Sequence, residues 1–336
     1  MKVTSLDRSR AARFDQYYTQ RPVAKICWEW MSRAATAHGV SLNQSVILEP
    51  SAGAGAFLDT APLGMRVAAF DIDPPSTRPD VTQHDFLRDL LPHLGNPGRD
   101  GKRIVIGNPP FGRKATLANA FIAHSWAEAK ADLVAFILPV QFRKWSAQRH
   151  VDLSARLIAD FDLPEDSFEF AGKPCKVRCC FQLWASPKWP THPKWPDLRL
   201  RQPPPTQHAD FDAYQFNRMP GSDKCFGYDW DFAVPRQGYV DYTRKVFSTG
   251  QCSRKQQWIL FKAHSPRALR RLMRLDFVAL SRKNTGVPGF GKADVVEAYG
   301  NAEAIVGRRS RGRFPQSEAR RWQTKRPMRS KKLAAG

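Results

Sequence analysis

Carboxylates are the scarce charge in this sequence. Its 336 residues carry 31 Asp plus Glu against 53 Lys plus Arg, a formal net charge of +22. So cationic a chain suits a polyanion, nucleic acid above all, and argues against a small protein as substrate; charge alone does not separate DNA from RNA. Long apolar runs are missing too. None approaches the ~20 residues of a membrane span, and the N-terminus has no signal-peptide apolar core, so a cytoplasmic protein without a membrane partner is expected. Cysteine is unpatterned: Cys27, Cys175, Cys179, Cys180, Cys225 and Cys252 include no CxxC pair. They read as reduced and mostly buried, and without zinc-ligand spacing no metal is expected. The GxGxxG fingerprint and the Walker lysine are also absent. No obligatory protein partner is evident.

What is present starts with enough apolar material, 42% of residues, for a globular chain of two domains. The most informative stretch is Arg103-Ile104-Val105-Ile106-Gly107-Asn108-Pro109-Pro110-Phe111-Gly112. It reads as a buried β-branched strand ending at a stiff loop, because the two prolines fix their own φ and hold Asn108 extended. The loop presents an amide, free carbonyls and an aromatic face at a strand's C-terminal end, where open α/β sheets bind ligands. An amide oxygen and a neighbouring carbonyl can accept both hydrogens of an exocyclic amino group, and Phe111 can stack on the base that carries it. A plain proline turn is the alternative.

Taken in order, residues 1–12 read as a polar, basic arm. Thr19 is expected to cap a helix with Pro22 in its first turn, running to about Ala37 on the apolar positions Val23, Ile26, Cys27, Trp30 and Met31. Val46 to Glu49 reads as a strand, followed by the bend Pro50-Ser51-Ala52-Gly53-Ala54-Gly55 and a helix carrying Phe57. Small residues there let a ligand approach the backbone. A second strand ends at Phe70-Asp71-Ile72-Asp73, with Asp71 better placed than Asp73 for a ribose diol. Asp85-Phe86 follow a third apolar piece and offer an acceptor and a ring to an adenine, or simply a turn. A helix over 115–130, a strand over 132–139, a helix over 147–158 and a strand over 177–184 continue the alternation, which argues for a mostly parallel sheet covered on both faces.

In this order the residues resemble the S-adenosylmethionine-dependent amino-methyltransferases, specifically the N6-adenine DNA methyltransferases whose cofactor region precedes the catalytic loop. The resemblance spans roughly residues 14–112 and, more weakly, extends to about 185. It implies an α/β, Rossmann-like class I methyltransferase fold with a seven-stranded mostly parallel sheet. It assigns Asn108, Pro109, Pro110 and Phe111 to the catalytic loop. Cofactor contacts are implied for Tyr18 and Thr19 at the methionine end, for Glu49, Pro50, Ser51, Ala52, Gly53, Gly55 and Phe57 in the loop, for Asp71 with Ile72 at the ribose, and for Asp85 and Phe86 at the adenine. Asn108 also borders the cofactor. A second aromatic on the far side of the target base is implied, with Phe181 as candidate. DNA is the expected partner. RNA is the alternative, because the same tetrad occurs in enzymes of rRNA, but Glu49-Pro50-Ser51-Ala52-Gly53 leans toward DNA adenine. Arg113 and Lys114 beside the loop, and Arg143 and Lys144 after the next strand, are candidates to clamp phosphates.

The first domain is expected over 1–185. Residues 186–209, rich in proline with Lys-Trp-Pro twice, read as a stiff linker that marks a boundary or wraps over the first domain. Residues 210–305 read as a smaller α+β, target-recognition region, with Tyr228, Trp230, Tyr239 and Tyr242 interleaved with charge. Residues 306–336 form a basic tail suited to sequence-independent phosphate attraction.

Overall fold

The computed structural model describes residues 17–112, 115–170, 173–192, 197–239, 241–284 and 287–308, the last without side chains beyond 301. Residues 1–16, the tail beyond 308, Arg113, Lys114 and the second Lys-Trp-Pro lie outside the described residues.

A short strand, β1 (Tyr18–Thr19), precedes helix α1 (Arg21–Ala37). Pro22 sits in the first turn of α1, where its missing N–H costs nothing. The helix buries Val23, Ala24, Cys27, Trp28, Met31, Ala34 and Ala35 at helical spacing. Its cap is Gln20, without a side-chain bond, and not Thr19, which is drawn instead into a strand ladder.

Strands and helices then alternate: β2 (Val46–Glu49), α2 (Ala56–Thr60), β3 (Val67–Asp71), β4 (Thr82–Gln83), β5 (Arg103–Gly107), α3 (Thr116–Ala127) and β6 (Leu133–Pro139). A short helix α4 (Trp145–Gln148) leads to β7 (Arg156–Asp162), the hairpin β8 (Phe168–Phe170) and β9 (Lys173–Cys175), and then β10 (Cys179–Ala185). The helix expected over 147–158 is thus only the four residues of α4, and β7 went unseen. Its acidic residues Asp160 and Asp162 disguise a strand because Arg143 neutralises both from another loop.

The seven-stranded sheet has the order β4-β3-β2-β5-β6-β10-β7 and is parallel except for β10, which runs antiparallel to both its neighbours. Alternate residues of β5 and β6 face opposite cores. Ile104, Ile106, Leu133, Ala135 and Ile137 pack with α1, while Val105, Val134, Phe136 and Leu138 pack with α3. With both faces covered, the central strands read as unbroken apolar runs. The chain leaves β2 toward β3 on one side and returns to β5 on the other. The topological switch point therefore lies between the C-terminal ends of β2 and β5. The small antiparallel sheet β1-β8-β9 stands beside this point.

The linker does pack on the first unit. Arg199 is buried and donates to the carbonyls of Gln148, Val151, Asp152 and Ala155. Beyond it, β11 (Phe211–Phe216), β12 (Phe232–Gln237) and β13 (Gln257–Ala263) form an antiparallel sheet in the order β11-β13-β12. Helices α5 (Pro266–Met273), α6 (Phe277–Ser281) and α7 (Lys292–Arg308) follow. The run from Pro266 to Leu280, which by its pattern reads as one basic amphipathic helix, is broken because Asp276 caps a new start, its side chain accepting from Ala279 N–H. Phe232, Ile259 and Phe261 pack under α5, α6 and α7, while Trp258 and Leu260 pack on the other face with Phe216 and Phe226. Tyr242, expected on a surface, is buried with its hydroxyl donating to the Pro288 carbonyl.

Candidate active site

A cleft of about 720 Å3 opens at the switch point. Its walls come from the segments after β2, β3, β4 and β5 and from the strand β1. Of the residues singled out in the sequence, the cleft gathers Tyr18, Thr19, Glu49, Pro50, Ser51, Ala52, Gly53, Phe57, Asp71, Ile72, Asp85, Phe86, Asn108, Pro109, Pro110 and Phe111. Residues from Glu49 to Phe111 converge because parallel strands end on one edge, and β1 of the small sheet adds Tyr18 and Thr19.

Asn108 is held from two sides. Its Nδ2 donates to the Tyr17 carbonyl at 2.8 Å, and its own carbonyl accepts from Ser51 Oγ at 3.1 Å. A carbonyl only accepts, so the bond to Tyr17 fixes which end of the amide is nitrogen. Oδ1 is left buried, with no donor among the described residues. A buried acceptor without a partner costs ~1–3 kcal/mol, and it awaits a hydrogen from a ligand.

Asp71 ends β3 and is buried. One carboxylate oxygen accepts from Gly53 N–H at 2.8 Å and the other from Asp73 N–H at 2.9 Å. The carboxylate is thus held at the glycine bend by two backbone donors. Asp71 is on the cleft wall and Asp73 is not. Glu49, at the end of β2, is 1% exposed, and its Oε2 meets no donor among the described residues. Burial, and then the neighbouring Asp71 charge, push its carboxyl well above the ordinary range. Burial thus favours its protonated form, and a cation beside it would favour the ionised one.

Gly53 takes φ +51°, and a Cβ there would press on the Tyr18 ring at 3.1 Å. Gly55 has another role than expected. It is not on the cleft wall but starts α2 at φ +78°, with the Arg78 guanidinium where a Cβ would be. Arg78 donates to the Ala54 carbonyl at 3.0 Å, to Asp59 at 2.8 Å and to both oxygens of Asp80, strapping the glycine bend from behind. Asp85 is half-committed to its own turn, accepting from Leu87 N–H. Phe86 is wedged between Phe121 and His124, at centroid distances of 5.2 and 4.8 Å.

Three other assignments change. Phe181 is fully buried in β10 against Trp30 and lies outside the cleft, because its position in the strand faces α1. The ring stacked beside Phe111 is instead Tyr17, just before β1, and Phe170 of β8 packs behind it. Tyr17 lies 6.3 Å from Phe111 at 18°, and Phe170 packs 5.2 Å from Tyr17. Nothing in their spacing marked them; only the pairing of β1 with β8 joins them. Arg143 is committed to Asp160 and Asp162, so it is not a phosphate clamp. Lys144 donates to Asn284 Oδ1 at 2.7 Å and lies 3.6 Å from Asp294, tying the second unit to the loop after β6. Arg113 and Lys114 fall outside the described residues.

No family model matches the chain. Defense against restriction protein B of Escherichia phage P1 is 32% identical over 111 residues, 31% of this chain and 4% of that protein. The chain thus spans a small fraction of the curated relative's length. Among solved structures, the 23S rRNA methyltransferase ErmE is similar at 16% identity and a TM-score of 0.32, covering 48% of this chain and 66% of that one. The type IIL restriction-modification enzyme MmeI in complex with DNA is similar at 9% identity and a TM-score of 0.41, covering 89% of this chain and 69% of that one.

Proposed function

We propose that the chain is an S-adenosylmethionine-dependent DNA methyltransferase that acts on the N6 amino group of adenine. The observation that carries this reading is the fixed, buried and unpartnered Asn108 Oδ1 beside the Phe111 ring. It is an acceptor preset for an amino hydrogen next to an aromatic face, which is what an exocyclic amine on a base requires.

The residues present fit the cofactor. Asp71 stands on the cleft wall as a carboxylate where a ribose diol would lie, and Glu49 Oε2 would partner a cationic group. Tyr18, Thr19 and Gly53 would line its amino-acid end, and Asp85, Phe86 and Ile72 its adenine end. When bound, the cofactor supplies an electrophilic methyl group on a sulfonium.

The amine needs help because its lone pair is delocalised into the ring. Hydrogen bonds from its two protons to Asn108 Oδ1 and the Pro109 carbonyl favour the tetrahedral nitrogen and localise that pair. These acceptors are preorganised by Tyr17, Ser51 and the two prolines, so they stabilise charge that develops in the transition state without reorganising. A base inside a duplex cannot reach the cleft and must be flipped out, at a cost of a few kcal/mol. Stacking on Phe111 offsets about 1–3 kcal/mol of that. No general base is needed at the outset, since the proton can leave after transfer.

The test is incubation with tritiated S-adenosylmethionine and unmethylated duplex DNA or, separately, total RNA, followed by nucleoside mass spectrometry. N6-methyladenine in DNA is the expected product. Label confined to RNA would replace this reading with that of an RNA methyltransferase.

A further inference from the structure

We propose that duplex DNA is gripped by a rim beside the cleft, formed by Lys173 and Lys176 on one side and the loop 241–256 on the other, with Phe247 stacking on its bases. This rests on the proposed reaction and names the surface that would hold its substrate.

One side of the rim follows from strand pairing. β9 pairs with β8, and β8 pairs with β1, next to the Tyr17 that holds Asn108. Lys173 on β9 and Lys176 just after it are exposed there. The other side follows from how the second unit is tied on. Lys144, past the end of β6, reaches Asn284. The neighbouring Pro288 carbonyl accepts from Gly238 N–H at 3.1 Å and from the Tyr242 hydroxyl at 2.5 Å. The start of the loop is therefore bonded to Pro288, four residues after the Asn284 that Lys144 holds at the C-terminal edge of the sheet.

The loop is rigid where it matters. Val246 and Ala233 exchange backbone hydrogen bonds of 2.8 and 2.9 Å, and the Gln251 side chain accepts from Phe247 N–H at 2.8 Å. Between those anchors Phe247 is 60% exposed, while its neighbour Val246 is buried. The loop carries Arg244, Lys245, Arg254 and Lys255 against a single acidic residue, Asp241; Arg244 also donates to the Tyr239 hydroxyl, and Arg254 lies over the Phe226 ring. An exposed ring on an ordered loop among cations fits a partner with phosphates outside and flat π faces within. Stacking is tolerant of sequence because every base has such a face, and an aromatic wedge also fills the gap that a flipped base leaves.

The experiment is fluorescence anisotropy of a labelled DNA duplex with the full-length chain over a range of salt, with cofactor binding and thermal unfolding measured alongside. Phe247→Ala is expected to bind about tenfold more weakly with an unchanged salt slope, while Phe247→Tyr, which keeps the ring, binds as the natural chain does. A Lys173→Gln/Lys176→Gln double variant is expected to lower the slope of log affinity on log salt by about 2. Natural affinity in Phe247→Ala, or an unchanged slope in the lysine variant, would overturn this surface while leaving the reaction standing. If the natural chain binds cofactor but no duplex, the proposed reaction falls with it.

Discussion

The side chain of Asn108 donates to the backbone of Tyr17, a residue 91 positions earlier, at 2.8 Å. That bond turns a loop residue into a directed acceptor. It also ties the loop after β5 to the residue just before β1, a strand of a different sheet. Replacing Asn108 by Ala removes the acceptor and the bond to Tyr17 but leaves Glu49, Gly53 and Asp71 in place. The expected result is a fall in single-turnover methyl transfer of about 10²–10³-fold, the scale for one preorganised polar contact, with cofactor affinity retained in calorimetry. Turnover at the natural rate would sink the mechanism.

Phe111 and Phe181 should separate cleanly. Phe111→Ala removes a stacking face and is expected to lower turnover on duplex DNA, by about 1–3 kcal/mol of base stacking. Phe181 packs inside the sheet, so Phe181→Ala leaves a cavity and should cost about 3–5 kcal/mol of stability. Phe181→Leu, which refills most of that space, should restore stability with natural turnover. Urea unfolding and a methylation assay on all three variants decide the point.

Glu49 predicts an unusual pH dependence. Its carboxyl is raised in the folded chain by burial and by Asp71, whereas an unfolded glutamate ionises at about 4.3. The folded state therefore holds a proton that the unfolded state has lost. Glu49's contribution to stability is complete below that value and declines as pH rises toward the raised folded pKa. Glu49→Gln removes the ionisation, so its melting temperature should exceed that of the natural chain by a margin that widens from acid to neutral pH. Cofactor binding should weaken in the same variant. A margin constant with pH would count against the assignment.

Gly55 sits at φ +78° with the Arg78 guanidinium against its Cα. An alanine there carries the left-handed penalty of about 1–2 kcal/mol and displaces Arg78 from the Ala54 carbonyl and Asp59. Gly55→Ala is expected to unfold at lower urea and to bind cofactor less tightly, although Gly55 itself does not line the cleft. Unchanged cofactor affinity would show that the strap has no part in shaping the glycine bend.

Much of this was legible from residue order alone. Val46 to Glu49, Val67 to Asp71, and Arg103 to Gly107 announce themselves as buried parallel strands because both their faces are covered, and their polar ends mark the edge where ligands sit. Asn108, Asp71, Glu49 and the glycine bend follow from that local pattern, since backbone and side chain there answer to neighbours in sequence. Other features depended on pairings far apart in the chain. β7 was hidden because Asp160 and Asp162 look like surface charge until Arg143 is folded onto them. Phe181 and Phe170 are both aromatics near late strands, and only strand register sends the first into the core and places the second by Tyr17. The sequence determined which polar groups end the central strands. The tertiary structure decided which way Asn108 points, which cations are already committed, and which ring faces solvent, because those depend on distances between residues that the chain order does not encode.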